Sequence, residues 1–189
     1  MTLGKRQQRP PELYEVISEN WAKRPLEYLA TAHLAIVSRF EESFRYVSLR
    51  RENAAAFSYE FASIPRDAGS ALGSFSDAIV RDSDPRKNWN KDPNIGDFYM
   101  FFSQYADDLA KAYIDVTVVS DPRRLQAFWG WTRRQAPAWW KAHNDVKHSE
   151  YKHAEKGNLQ NATTAVAAVE IILRRATLNQ RGTKLFSPW

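Results

Sequence analysis

Lys141, Asn144 and His148 follow one another at spacings of three and four, which on a helix makes one polar stripe. An ammonium, an amide and an imidazole on one stripe can hold a phosphate and move a proton near neutral pH. They lie in the segment 137–157, PAWWKAHNDVKHSEYKHAEKG, which carries two of the seven tryptophans and three of the four histidines of the chain. His148 is the candidate acid–base residue, and Asn144 the group that would orient a substrate. Lys147 and Lys141 are the candidate phosphate contacts. His143 is a second imidazole that could share the acid and base roles in attack by a ribose 2′-hydroxyl. Trp139, Trp140 and Tyr151 are candidates for stacking or for packing.

Spacing limits what this helix can do alone. His143 and His148 are five apart and point roughly 140° away from each other, so one helix can hardly aim both at one phosphate. Two copies of the chain could, by pairing His148 of one with His143 or Lys147 of the other. The same angle argues against a zinc site, because helical metal-binding histidines favour a separation of four. Neither a metal nor a cofactor is expected. Against all this stands a plain structural alternative, in which Asn144, Lys147 and His148 form a hydrogen-bond network or a solvated face. Trp139, Ala142 and Val146 share the side of the helix suited to the core.

The elements that would position this segment read as helices. Residues 1–11 form an expected disordered basic arm, followed by a short helix over 12–23 that ends before Pro25. A longer helix is expected over 25–49, with Leu26, Leu29, Ala30, Phe40, Phe44 and Val47 at helical spacing. His33 falls among these apolar residues and is assigned to the core. The next helix, 53–80, has the clearest period of the N-terminal half: Phe57, Phe61, Ile64, Ala68, Leu72, Phe75 and Ile79. Pro65 should kink or split it. Gly69 and Gly73 give it a flat surface for close packing, within the bundle or across a dimer.

A polar loop separates the halves. Asp82 and Asp84 open it like a calcium loop, but Pro85 and Arg86 follow and the required glycine is missing, which excludes calcium. Asn94 or Asp92 can cap a helix over 95–118, whose stripe is Phe98, Phe102, Tyr105, Leu109, Ala112 and Val116. Its β-branched ending, IDVTVV, allows a short extended exit. The connector that follows bears Trp129, Trp131, Arg133 and Arg134. Basic residues interleaved with aromatics can track a phosphate backbone and stack bases, or the tryptophans can lid one end of the bundle. Gly157 marks a stop. A last helix over 158–178 buries Leu159, Ala162, Val166, Val169 and Leu173, before a tail at 179–189. The expected architecture is all-α, an antiparallel bundle of five or six helices forming one domain over 12–178.

Totals narrow the field further. The chain has 189 residues, which suits one core. It lacks cysteine, excluding disulfides and thiolate metal sites. No run approaches the roughly 18 apolar residues of a membrane span, and the basic N-terminus has no apolar stretch of a signal peptide. A cytoplasmic protein that does not enter the membrane is expected. The net charge of +5 suits an acidic partner such as RNA.

HNDVKH, with the tryptophan pair before it and a small-residue amphipathic helix after it, resembles the motif helix of the HEPN superfamily. That resemblance implies an all-α domain with an arginine, a following polar residue and a histidine four to six residues on. Many HEPN domains are metal-independent ribonucleases of bacterial defence or toxin–antitoxin systems, acting as dimers, and others are non-catalytic. Asn144 matches the polar position and His148 the histidine, with His143 where the signature arginine would stand. The implied function is binding of RNA or another nucleic acid by a homodimer, extending to metal-independent RNA cleavage. The alternatives are a non-catalytic interaction module, or a regulatory partner of a toxin.

Overall fold

In the computed structural model, which describes residues 23–83, 92–106, 108–116 and 122–177, the apolar stripes become five α-helices among the described residues. They are α1 (Lys23–Ser43), α2 (Tyr59–Ser83), α3 (Ile95–Tyr105), α4 (Ala138–Ser149) and α5 (Leu159–Thr177). The expected basic arm, the helix over 12–23, Asp84 of the rejected calcium loop and the tail at 179–189 lie outside the described residues.

α2 is the hub and touches each of the other four helices. Of its expected stripe, Phe61, Ile64, Ala68, Leu72, Phe75 and Ile79 are buried, whereas Phe57 precedes the helix, which starts at Tyr59 rather than 53, and is exposed. Each fully buried phenylalanine contributes up to about 3 kcal/mol of transfer free energy. Ser58 caps the helix, its hydroxyl accepting from the Phe61 amide at 3.0 Å. The helix runs through Pro65 as one element rather than two. Leu159, Ala162, Val166, Val169 and Leu173 of α5 are all buried, again as expected.

α3 has a reciprocal cap. The Asn94 side chain accepts from Gly96 N at 2.8 Å, and Asn94 N donates to Asp97 Oδ2 at 3.0 Å. Asn94, rather than Asp92, is therefore the cap. The helix ends at Tyr105, thirteen residues short of the expected Val118, because Ala106 leaves helical space (φ −149°, ψ 59°). A 3-10 turn at Leu109–Lys111 follows, then strand β1 (Ile114–Val116). It pairs antiparallel with β2 (Arg123–Leu125), Ile114 opposite Leu125 and Val116 opposite Arg123. Among the described residues the protein is thus mostly helical with one two-stranded sheet. Asp115 and Arg124 face each other across it at 3.0 Å, and the Arg124 guanidinium lies 3.6 Å over the Tyr113 ring.

The segment at 137–157 is also shorter as a helix than its composition suggests. α4 stops at Ser149, and two 3-10 turns, Glu150–Lys152 and Ala154–Lys156, lead to α5. Gly157 then passes so close to α2 that a Cβ on it would lie 2.5 Å from the Ala62 Cβ. Ser58 N donates to the Gly157 carbonyl at 3.2 Å and Leu159 N to the Ala56 carbonyl at 2.9 Å, stitching the two helix starts together.

Candidate nucleic-acid interface

α4 divides its chemical side chains between two faces. Trp139, Trp140, Ala142, His143 and Val146 are buried; Lys141, Lys147 and His148 are exposed and Asn144 is half-buried. Trp139 donates its Nε1 hydrogen to the Ala127 carbonyl at 3.0 Å. Trp140 meets Phe98 edge-on, with ring centroids 6.2 Å apart, and its Cη2 lies 3.5 Å from where a Gly73 Cβ would be. Both indoles are packing groups with no free face for a base. Tyr151, almost fully exposed beyond the end of α4, keeps both faces open.

His143 lies on the buried side of α4. Its ring rests on Gly69 of α2, so close that a Cβ there would sit 2.4 Å from its Cγ. Only 3% of the residue is exposed. Burial, reinforced by the charge of Lys147, lowers its pKa to about 4, against an upward pull from the Pro65 and Arg66 backbone carbonyls. The ring is neutral at pH 7 and faces the bundle interior. In this position it offers almost no surface to a ligand on the outer face of α4. Gly69 and Gly73 do provide the close packing expected of them, inside the bundle, and what they admit is an imidazole and an indole.

His148 and Lys147 remain on the surface and make no hydrogen bond or ion pair among the described residues. Asp145, one residue on from Asn144, places a carboxylate in the Lys141/His148 arc about 40° from Lys141. That negative charge opposes phosphate binding on the stripe. Among the described residues no group of His, Asp and Glu could hold a metal ion, and no helix is long and apolar enough to cross a membrane.

A second arrangement lies in the loop 126–136, between β2 and α4. Its aromatic residues alternate in direction. Phe128 and Trp131 turn inward and stack on each other at 5.2 Å, and Trp131 also meets the ring of Tyr99. Trp129 turns outward and is 70% exposed. The reversal uses Gly130, whose φ of +71° suits glycine. A tight turn follows, with Thr132 and Gln135 exchanging backbone hydrogen bonds at 3.0 and 3.2 Å. Arg133 and Arg134 occupy its tip, exposed, with no ion pair among the described residues. The turn is seated on the start of α3, where the Arg133 carbonyl lies 2.8 Å from the position of a Gly96 Cβ.

The loop lies in a basic stretch of sequence. From Pro122 to Asn144 the chain has five cations (Arg123, Arg124, Arg133, Arg134 and Lys141) and no carboxylate, although Arg124 is paired with Asp115 across the sheet. The sequence offered two roles for these tryptophans, stacking or lid. The structure gives the lid to Trp131 and leaves Trp129 open. Comparison with family models, with curated proteins and with solved structures returned no match.

Proposed function

We propose that this protein binds single-stranded RNA, or another single-stranded nucleic acid, through the loop 126–136, without cutting it. The observation that carries the reading is an open indole on the same short loop as two exposed guanidinium groups that make no ion pair among the described residues, the loop being pinned into the core. Trp129 offers a face to an unpaired base, a contact worth about 1–3 kcal/mol. Arg133 and Arg134 meet flanking phosphates, with Lys141 as a further cation at the start of α4. The exposed Lys147, His148 and Tyr151 extend the path, weakened by Asp145.

Kinship with HEPN domains belongs to this proposal and rests on the string WWKAHNDVKH and the helical layout. Cleavage is left out of it, because the second imidazole on α4 is neutral and sealed against Gly69. His148 would need a partner from another copy of the chain.

A different reading has its own support. Trp139 and Trp140 are buried and packed, and exposed Trp and Arg also dominate protein–protein hot spots. Fluorescence anisotropy of a labelled single-stranded RNA, followed from low to high salt, separates the two. Nucleic-acid binding predicts a log–log salt slope that falls by about 1 to 1.5 when Arg133 and Arg134 both become Ala. Unchanged anisotropy at low salt, up to high protein concentration, would assign the loop to a protein partner instead.

A further inference from the structure

The loop 126–136 carries a neutral side chain that its own fold leaves uncommitted. Gln135 closes the tight turn through its backbone, its N–H donating to the Thr132 carbonyl at 3.2 Å and to Thr132 Oγ1 at 3.1 Å. The Thr132 hydroxyl also accepts from Arg134 N at 3.3 Å, so it is occupied within the turn. The Gln126 amide reaches back to the Lys111 carbonyl at 3.5 Å. The Gln135 side chain, by contrast, is exposed and makes no hydrogen bond among the described residues. It folds back over the turn, and its Nε2 lies 3.6 Å from where a Cβ on Gly130 would stand. Gly130 is the residue whose positive φ turns the chain just after Trp129. A locked backbone thus delivers a free carboxamide to within one residue of the open indole.

We infer that Gln135 reads the edge of the base stacked on Trp129 and gives the loop a preference for adenine. This deepens the nucleic-acid proposal and rests on it. Arg133 and Arg134 can only donate, which suits phosphate oxygens. A carboxamide both accepts and donates, so it pairs with a base edge that offers a donor and an acceptor side by side. In an unpaired strand the pairing edge and the N7 edge are both open. Adenine presents such a couple on each of them, its amino N–H beside N1 on one and beside N7 on the other. Guanine shows only acceptors, N7 and O6, on its N7 edge, and cytosine and uracil have no N7, so these bases match a carboxamide on the pairing edge alone. A purine also covers more of the indole than a pyrimidine does, which adds to the preference by stacking.

Fluorescence anisotropy of the full chain with labelled hexa-adenylate, hexa-uridylate and hexa-cytidylate tests it. The unaltered chain should bind hexa-adenylate about fivefold more tightly than either pyrimidine hexamer, the low end of what a paired base contact supplies. Gln135→Met keeps the length of the side chain and removes both hydrogen-bonding groups. It should reduce the preference to about twofold, the part that the larger ring contributes by stacking. The side chain is exposed, so this variant should keep the unaltered melting temperature. A hexamer of N6,N6-dimethyladenosine keeps the purine ring but lacks the amino hydrogens, and the unaltered chain should bind it more weakly than hexa-adenylate by a similar factor. An adenine preference that survives Gln135→Met, or equal binding of the three plain hexamers by the unaltered chain, would overturn the role of Gln135 and leave single-strand binding standing. No binding of any hexamer by the unaltered chain would overturn both.

Discussion

The α2–α4 contact and the loop 126–136 are made of the same materials, aromatic rings beside nitrogen groups, yet they are opposites. At the contact, His143 and Trp140 lie against Gly69 and Gly73, where burial strips the imidazole of its charge. In the loop, Phe128 and Trp131 take the interior and release Trp129, Arg133 and Arg134 to solvent. Residue type alone ranks the α4 segment as the richer site. Burial reverses that order, because a desolvated imidazole stabilises packing while an exposed guanidinium can still find a phosphate.

The strongest way to break this comparison is to crowd the closed side. Gly69→Ala puts a methyl into the His143 ring and should cost about 3 kcal/mol in denaturant unfolding. Combining it with His143→Ala should recover part of that loss, a coupling that identifies the ring as the obstacle. Additive losses would mean that the ring does not rest on Gly69 in solution.

Next in size is the response to acid. The folded-state pKa of His143, about 4, lies below the unfolded value of about 6.5. Its stability contribution is therefore complete above the unfolded value and is lost as pH falls from about 6.5 towards 4. Relative to His143→Leu, the unaltered chain should lose roughly 3 kcal/mol across that window. Parallel stability curves for the two proteins would contradict a buried neutral imidazole. A smaller effect sharpens the point. Lys147→Ala removes the charge that helps depress the His143 pKa, so the acid loss should shrink by a few tenths of a kcal/mol. An unchanged or steeper loss would show that Lys147 does not act on the ring.

Much of this was readable from the sequence, and the failures have physical causes. The stripes of α2 and α5 gave their faces directly, because 3.6-residue periodicity over many turns has no competing explanation. On α3 the stripe misled. Phe98 and Phe102 are helical, but Leu109 sits in a 3-10 turn and Val116 in a strand. Spacings of three and four thus continued past the end of the helix at Ala106. Ile114 and Val116, two apart and both buried around an exposed Asp115, carried the period of a strand. His143 was legible in spacing though not in type. It lies four residues after Trp139 and three before Val146, on the core face already assigned to them. What no spacing could supply was Gly69, more than seventy positions earlier, as the surface that receives it. Trp129 and Trp131, two apart in an irregular loop, gave no periodic sign of which would face solvent.

The most direct measurement is a side-by-side titration of labelled single-stranded RNA with Trp129→Ala and His148→Ala, each shown to retain the unaltered melting temperature. The account predicts an affinity loss of about tenfold or more for Trp129→Ala and less than about threefold for His148→Ala, an exposed group beside Asp145. A large loss confined to His148→Ala would contradict it and return the binding surface to α4.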